Sequence, residues 1–166
     1  MTIDLAKRTG IFIALCLMQA LVLNRIHLFG CATPLLYVYF ALIFPRNYPR
    51  WAILVWCFLL GLSIDTFSNT PGVASASLTL IGAVQPYFLN LFIPRDAAED
   101  MSPSAAGLGP LKFSFYSATL ILLYCLLFFT LETFNFFNWL QWLECIAGST
   151  ALTAILVLTI ESVRKK

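Results

Sequence analysis

Long apolar runs with almost no charge inside them constrain this chain more than any motif does. A bilayer core of about 30 Å is crossed by roughly 20 mostly apolar residues in a helix. Six stretches reach or approach that length: 9–24, 28–45, 51–67, 73–93, 113–134 and 139–160. Composition agrees: of 166 residues 60% are hydrophobic and 11% charged, where a soluble domain carries about 25% charge. So little charge cannot coat a water-facing surface, which excludes an ordinary soluble enzyme, a disordered protein and a secreted disulfide scaffold. The predicted fold is an all-α integral membrane protein, one membrane domain over 1–166 built as a six-transmembrane-helix bundle. The longest connection, 94–112, is too short for a folded domain and rich in turn residues, and it reads as a mobile cytoplasmic linker between four helices and two.

Basic residues set orientation in short-looped membrane proteins. With the N-terminus inside, the inner segments hold Lys7, Arg8, Arg46, Arg50, Arg95, Lys112, Arg164, Lys165 and Lys166, leaving Arg25 alone outside. Both termini are therefore expected in the cytoplasm, with Trp139 and Trp142 at the outer interface and Trp51 at the inner one. Lys7 and Arg8 precede the first run as in a signal peptide. No small-residue cleavage site follows Leu23, so the first helix is expected to stay as an anchor.

The imperfect spans say more than the clean ones. Thr33-Pro34 reads as a helix cap followed by Pro at the first helical position. A helix over 34–45 would be only about 18 Å long, so residues near 28–33 would be irregular. The third span ends in the polar, turn-like Asp65-Thr66-Phe67-Ser68-Asn69-Thr70-Pro71-Gly72. Irregular backbone at membrane depth persists only when packed in protein or lining a wet cavity. Both breaks fall outside, so the bundle is expected to have an irregular, indented outer half. Pro86 predicts a kink in the fourth span, since it cannot bond Gly82. Small-residue stripes at Ser75, Thr79 and Ala83, and at Ala147, Ala151 and Ala154, permit close helix approach, with internal packing the plainer reading.

Chemistry is sparse. Cys16, Cys31, Cys57, Cys125 and Cys145 have no paired spacing and read as small apolar fillers. His27 is the only histidine, and no catalytic, metal or phosphate-binding motif is present, so no enzyme, cofactor or nucleic-acid function is expected. Asp65 stands apart. An acid at membrane depth is a functional candidate, with Arg25 as its possible charge partner. The plainer reading is a cap that accepts hydrogen bonds from backbone N–H groups of the following turn.

The stretch 58–72, FLLGLSIDTFSNTPG, resembles the central motif of the bacterial rod shape-determining protein MreD family: an apolar run, Gly-Leu, an Asp shortly after, then a polar turn with Pro and Gly. Residues 21–40, with Pro34, and the pair Gln85-Pro86, where relatives often have Arg-Pro, resemble the Bacteroidetes branch. The resemblance implies a non-enzymatic inner-membrane scaffold of the cell-elongation machinery. Its partner would be MreC, and through it MreB, RodA and a class B penicillin-binding protein. It also implies a fold similar to the substrate-binding subunits of energy-coupling-factor transporters. Candidate motif or partner-contact residues are Pro34, Gly61, Asp65, Pro71, Gly72, Gln85 and Pro86. The alternative is a vitamin-binding subunit of such a transporter. Against it, the rim offers few polar groups (Asn24, Arg25, His27, Asp65, Asn69) where a ligand site wants several converging ones, and Gly10-x-x-x-Ala14 is a poor match to the docking repeat.

Overall fold

The computed structural model describes residues 2–23, 33–93, 103–105, 107–133 and 139–164, with side chains described from residue 6 onward. Among these residues six helices follow in order: α1 (Thr2–Leu21), α2 (Val38–Leu42), α3 (Arg50–Ser68), α4 (Val73–Phe92), α5 (Pro110–Thr133) and α6 (Trp139–Arg164). Among the described residues there is no strand. Three of them, α3, α5 and α6, are long and apolar enough to cross a membrane. Helix α4 is 20 residues without a charged side chain, and α1 carries Asp4, Lys7 and Arg8 in its first turns.

Contacts along the helices show that successive segments alternate in direction. Arg8, early in α1, stacks on Tyr48 just before α3, 4.2 Å from the ring centroid. Gln19, late in α1, bonds the start of the segment that leads into α2. Helix α6 meets that same segment first through Ser149 and last through Glu161. One end of the bundle therefore holds the α3–α4 turn (the turn end). The opposite end (the basic end) gathers Lys7, Arg8, Arg46, Arg50, Lys112 and Arg164, which are all the described lysines and arginines.

The outer surface is apolar on every long helix: Ile13 and Leu17, Phe58 and Leu62, Leu80 and Leu91, Phe115 and Leu122, and Leu140 and Ile155 are all exposed. Soluble monomers rarely expose contiguous apolar surface on this scale. With the three long apolar helices, these are the marks of a membrane protein.

Close packing of α3 on α4 depends on two glycines. A Cβ at Gly61 would lie 2.3 Å from the Cα of Ser75 and 2.7 Å from its backbone nitrogen. A Cβ at Gly82 would meet the Cys57 sulfur at 2.8 Å. The connecting turn is equally constrained, with Asn69 at φ 57° and Gly72 at φ 87°, both left-handed. Helix α4 runs through Pro86 as one element.

The second segment departs from expectation. The helix does not start at Pro34. Thr33 to Leu35 are irregular, three i→i+3 bonds then form over residues 35–40, and α2 itself has only five residues. The physical reason is that side chains from distant helices take the N–H groups a helix start would offer. Thr33 N–H donates to Ser149 Oγ at 3.1 Å, Leu35 N–H to Thr153 Oγ1 at 3.0 Å, and Leu36 N–H to Gln19 Oε1 at 3.2 Å. Gln19 Nε2 in turn donates to the Pro34 carbonyl. At the other end, Gln85 Nε2 donates to the Phe44 carbonyl and Tyr116 Oη to that of Leu42. Residues 34–42 are buried throughout, so this irregular backbone is packed in protein, as its depth requires. Replacing Gln19 by alanine leaves the buried Pro34 carbonyl and Leu36 N–H unpaired. We expect a loss of about 2–4 kcal/mol, from about 1–3 kcal/mol for each stranded group with partial relaxation, read as a lower melting temperature in detergent with no change in helix content.

Two other expectations change. Part of 94–112 is docked: Pro103 and Leu108 are buried, and Ala105 N–H donates to Glu161 at 3.0 Å. Helix α5 packs along α4, so the helices on either side of this stretch are in direct contact. Of the small-residue stripes, Ser75 packs inward, but Ala83, Ala147 and Ala151 are exposed. The buried face of α6 is instead Ile146, Ser149, Thr153, Val157 and Glu161. Cys16, Cys57 and Cys125 are buried, and no disulfide is found among the described residues.

Candidate functional site

The motif residues converge at the turn end. Asp65, in the last turn of α3, is 5% exposed. Its Oδ1 accepts from Ala74 N–H at 2.8 Å and from the Thr70 hydroxyl at 3.2 Å, and its Oδ2 from Ser75 N–H at 2.9 Å. Ala74 and Ser75 are the second and third residues of α4, whose first N–H groups have no partner within the helix. The N-cap position itself is Gly72, which has no side chain to serve them. Asp65 therefore does the capping from the preceding helix, with its negative charge at the positive end of the α4 dipole. Its backbone carbonyl also receives the N–H groups of Asn69 and Thr70 and closes α3. One residue thus ends one helix and begins the next. Gly61 lies one turn earlier and lets the two backbones come within reach of that carboxylate. The proposed charge pair cannot be placed, because Arg25 lies outside the described residues, as do Asn24, His27 and Cys31.

Among the other motif residues, Pro34 and Gln85 are buried, Pro86 is half-buried, and Pro71 and Gly72 are exposed. Gln85 binds Phe44 and Tyr116 and does not reach the turn end. The motif is thus divided between the turn and the clamp on α2. Only Pro71 and Gly72 present themselves freely at the surface.

Beside the capped turn, a cavity of about 360 Å³ opens among α1, the irregular segment, α3 and α5. Its walls include Tyr37, Ile64, Phe67, Thr70, Phe128 and Glu132. The Tyr37 hydroxyl is bonded to that of Tyr124. Aromatic faces, hydroxyls and one carboxylate line the cavity. The third span is not broken at Asp65 as its polar residues predict, because α3 stays helical to Ser68. The other expected break, near 28–33, lies mostly outside the described residues. Among the described residues, no group of three or more His, Cys, Asp or Glu side chains is placed to hold a metal.

A second polar cluster lies at the basic end. Glu161 is 3% exposed and accepts from the Tyr39 hydroxyl at 2.7 Å and from Ala105 N–H. Arg164 donates to Tyr39 Oη at 3.2 Å and lies 3.8 Å from the Glu161 carboxylate. The cluster ties α2, α6 and the docked loop together. Sequence reasoning missed it because Glu161 directly follows the apolar run and precedes the basic tail, which made it look like a solvated end. Gln19 was also missed. A lone amide within an apolar span is the signal that marks an interhelical bond.

No family model, no curated protein and no solved structure matches this chain.

Proposed function

We propose that the chain is a non-enzymatic inner-membrane scaffold of the kind the MreD-like motif implies, binding MreC and so helping to control peptidoglycan synthesis and cell shape. The carrying observation is how the deep polar side chains are used. Gln19, Asp65, Gln85, Ser149, Thr153 and Glu161 each bond the chain's own backbone. They build a fixed, irregular bundle. What remains for partners is apolar helix surface and the indented turn end, both suited to packing against another membrane protein. The reading places all six segments across the membrane with both termini in the cytoplasm. Their alternating direction and the gathering of basic residues at one end support that orientation. MreB, RodA and a class B penicillin-binding protein would be reached indirectly.

The second reading, a vitamin-binding subunit with an energy-coupling-factor-like fold, is favoured by the cavity at the turn end, which would face outward. Depleting the protein in its own host separates the two. On the scaffold reading, elongating cells widen and round up within a few generations, whatever the vitamin supply. Normal shape with a growth defect cured by a supplied vitamin would favour the transporter subunit.

A further inference from the structure

Helices α1 and α6 flank a lateral groove of about 440 Å³ in the basic half of the bundle, and Tyr39 and Ile43 form its floor. The short α2 leaves this space between two much longer neighbours. The walls are apolar, with Ile11 and Ala14 from α1 and Ile160 and Val163 from α6. Val163 is 69% exposed, so the groove opens sideways, where lipid tails would lie.

Its one charged end is cationic. Arg164 closes the groove on the α6 side, its side chain 51% exposed. Tyr39 holds the guanidinium in place. Glu161, buried and 3.8 Å from the guanidinium, offsets part of that charge, so the mouth owes its net positive charge to Lys7 as well. On α1, Lys7 is exposed and lies four residues before Ile11, hence one turn nearer the basic end on the same face.

We propose that this groove binds one anionic phospholipid, with an acyl chain along α1 and α6 and the headgroup phosphate on Lys7 and Arg164. An apolar trough with a positive charge at one end matches an amphiphile with a single anionic head. Basic pockets between helices at the cytoplasmic face are suited to such headgroups. An apolar helix of a partner, or of a second copy, would leave Lys7 at that end without a counter-charge. The inference rests on the membrane reading and its orientation, and is independent of MreC.

The test is native mass spectrometry of the full chain in mild detergent, titrated with phosphatidylglycerol or phosphatidylcholine of identical acyl chains. Wild type is expected to retain one phosphatidylglycerol with about a twentyfold preference over phosphatidylcholine, two basic contacts each contributing a few-fold. Lys7→Gln with Arg164→Gln should bring the preference close to one. Val163→Trp fills the groove from an exposed position without disturbing the core, and should reduce retention of both lipids about tenfold. Arg46→Gln with Lys112→Gln, at the same end but outside the groove, should leave the preference unchanged. Three outcomes would overturn the proposal: a preference that survives the first pair, equal loss with the Arg46 and Lys112 pair, or retention indifferent to Val163→Trp. So would a dimer or a second protein that Val163→Trp displaces in place of lipid.

Discussion

Gly61→Ala is expected to lower the melting temperature of the protein by about 10 °C. The added methyl would sit 2.3 Å from Ser75 Cα and within 3 Å of two further backbone atoms. Backbone cannot rotate away as a side chain can, so α3 and α4 must separate. Overpacking costs about 1–3 kcal/mol, and this site belongs at the top of that range. For a chain of this size each kcal/mol is worth about 2–4 °C. The shift also moves Asp65 away from the N–H groups it caps. Gly82→Ala is the control. Its nearest neighbour is the Cys57 sulfur at 2.8 Å, the far end of a side chain that can turn, so the loss should be at most about a third as large. Thermal unfolding followed by fluorescence in detergent distinguishes them. Equal effects would mean that the α3–α4 contact is looser than described.

Asp65→Ala is expected to be nearly as damaging. It removes a charged cap from α4 and strands the N–H groups of Ala74 and Ser75 in a buried place. Loss of a cap costs about 0.5–2 kcal/mol and an unpaired buried group about 1–3 kcal/mol, so the combined loss should be about 3 kcal/mol. Asp65→Asn keeps one oxygen that can accept but loses the charge opposite the helix dipole, and should fall about midway. Partner binding should fall in the same order as stability and no faster. An Asn variant that keeps wild-type stability but loses partner binding would make Asp65 a recognition residue and would contradict its role as a cap.

Local pattern made much of this fold legible. The run 51–67 predicts α3 (Arg50–Ser68), although the helix continues through Asp65 and Thr66, where the polar pattern predicts the turn to begin. The capping reading of Asp65 was available too, since the partner N–H groups lie nine and ten residues ahead. The second segment was not legible. Thr33-Pro34 carries a sound local signal for a helix start, but Ser149 and Thr153 override it from 116 and 118 residues away. A single sequence holds no trace of such a pairing. The docked stretch around Leu108 was hidden for the same reason: Ser, Pro and Gly predict a turn, and only Glu161 on a distant helix shows what the turn is fastened to.

That the deep polar groups serve the fold, and that the protein acts by packing against a membrane partner, is tested most directly by co-purification. The chain would be extracted with mild detergent from membranes that also contain the host's MreC, and the particle weighed intact. The scaffold account predicts a reproducible complex of fixed stoichiometry with MreC. A chain that emerges without MreC and carries a bound vitamin in the turn-end cavity would contradict it.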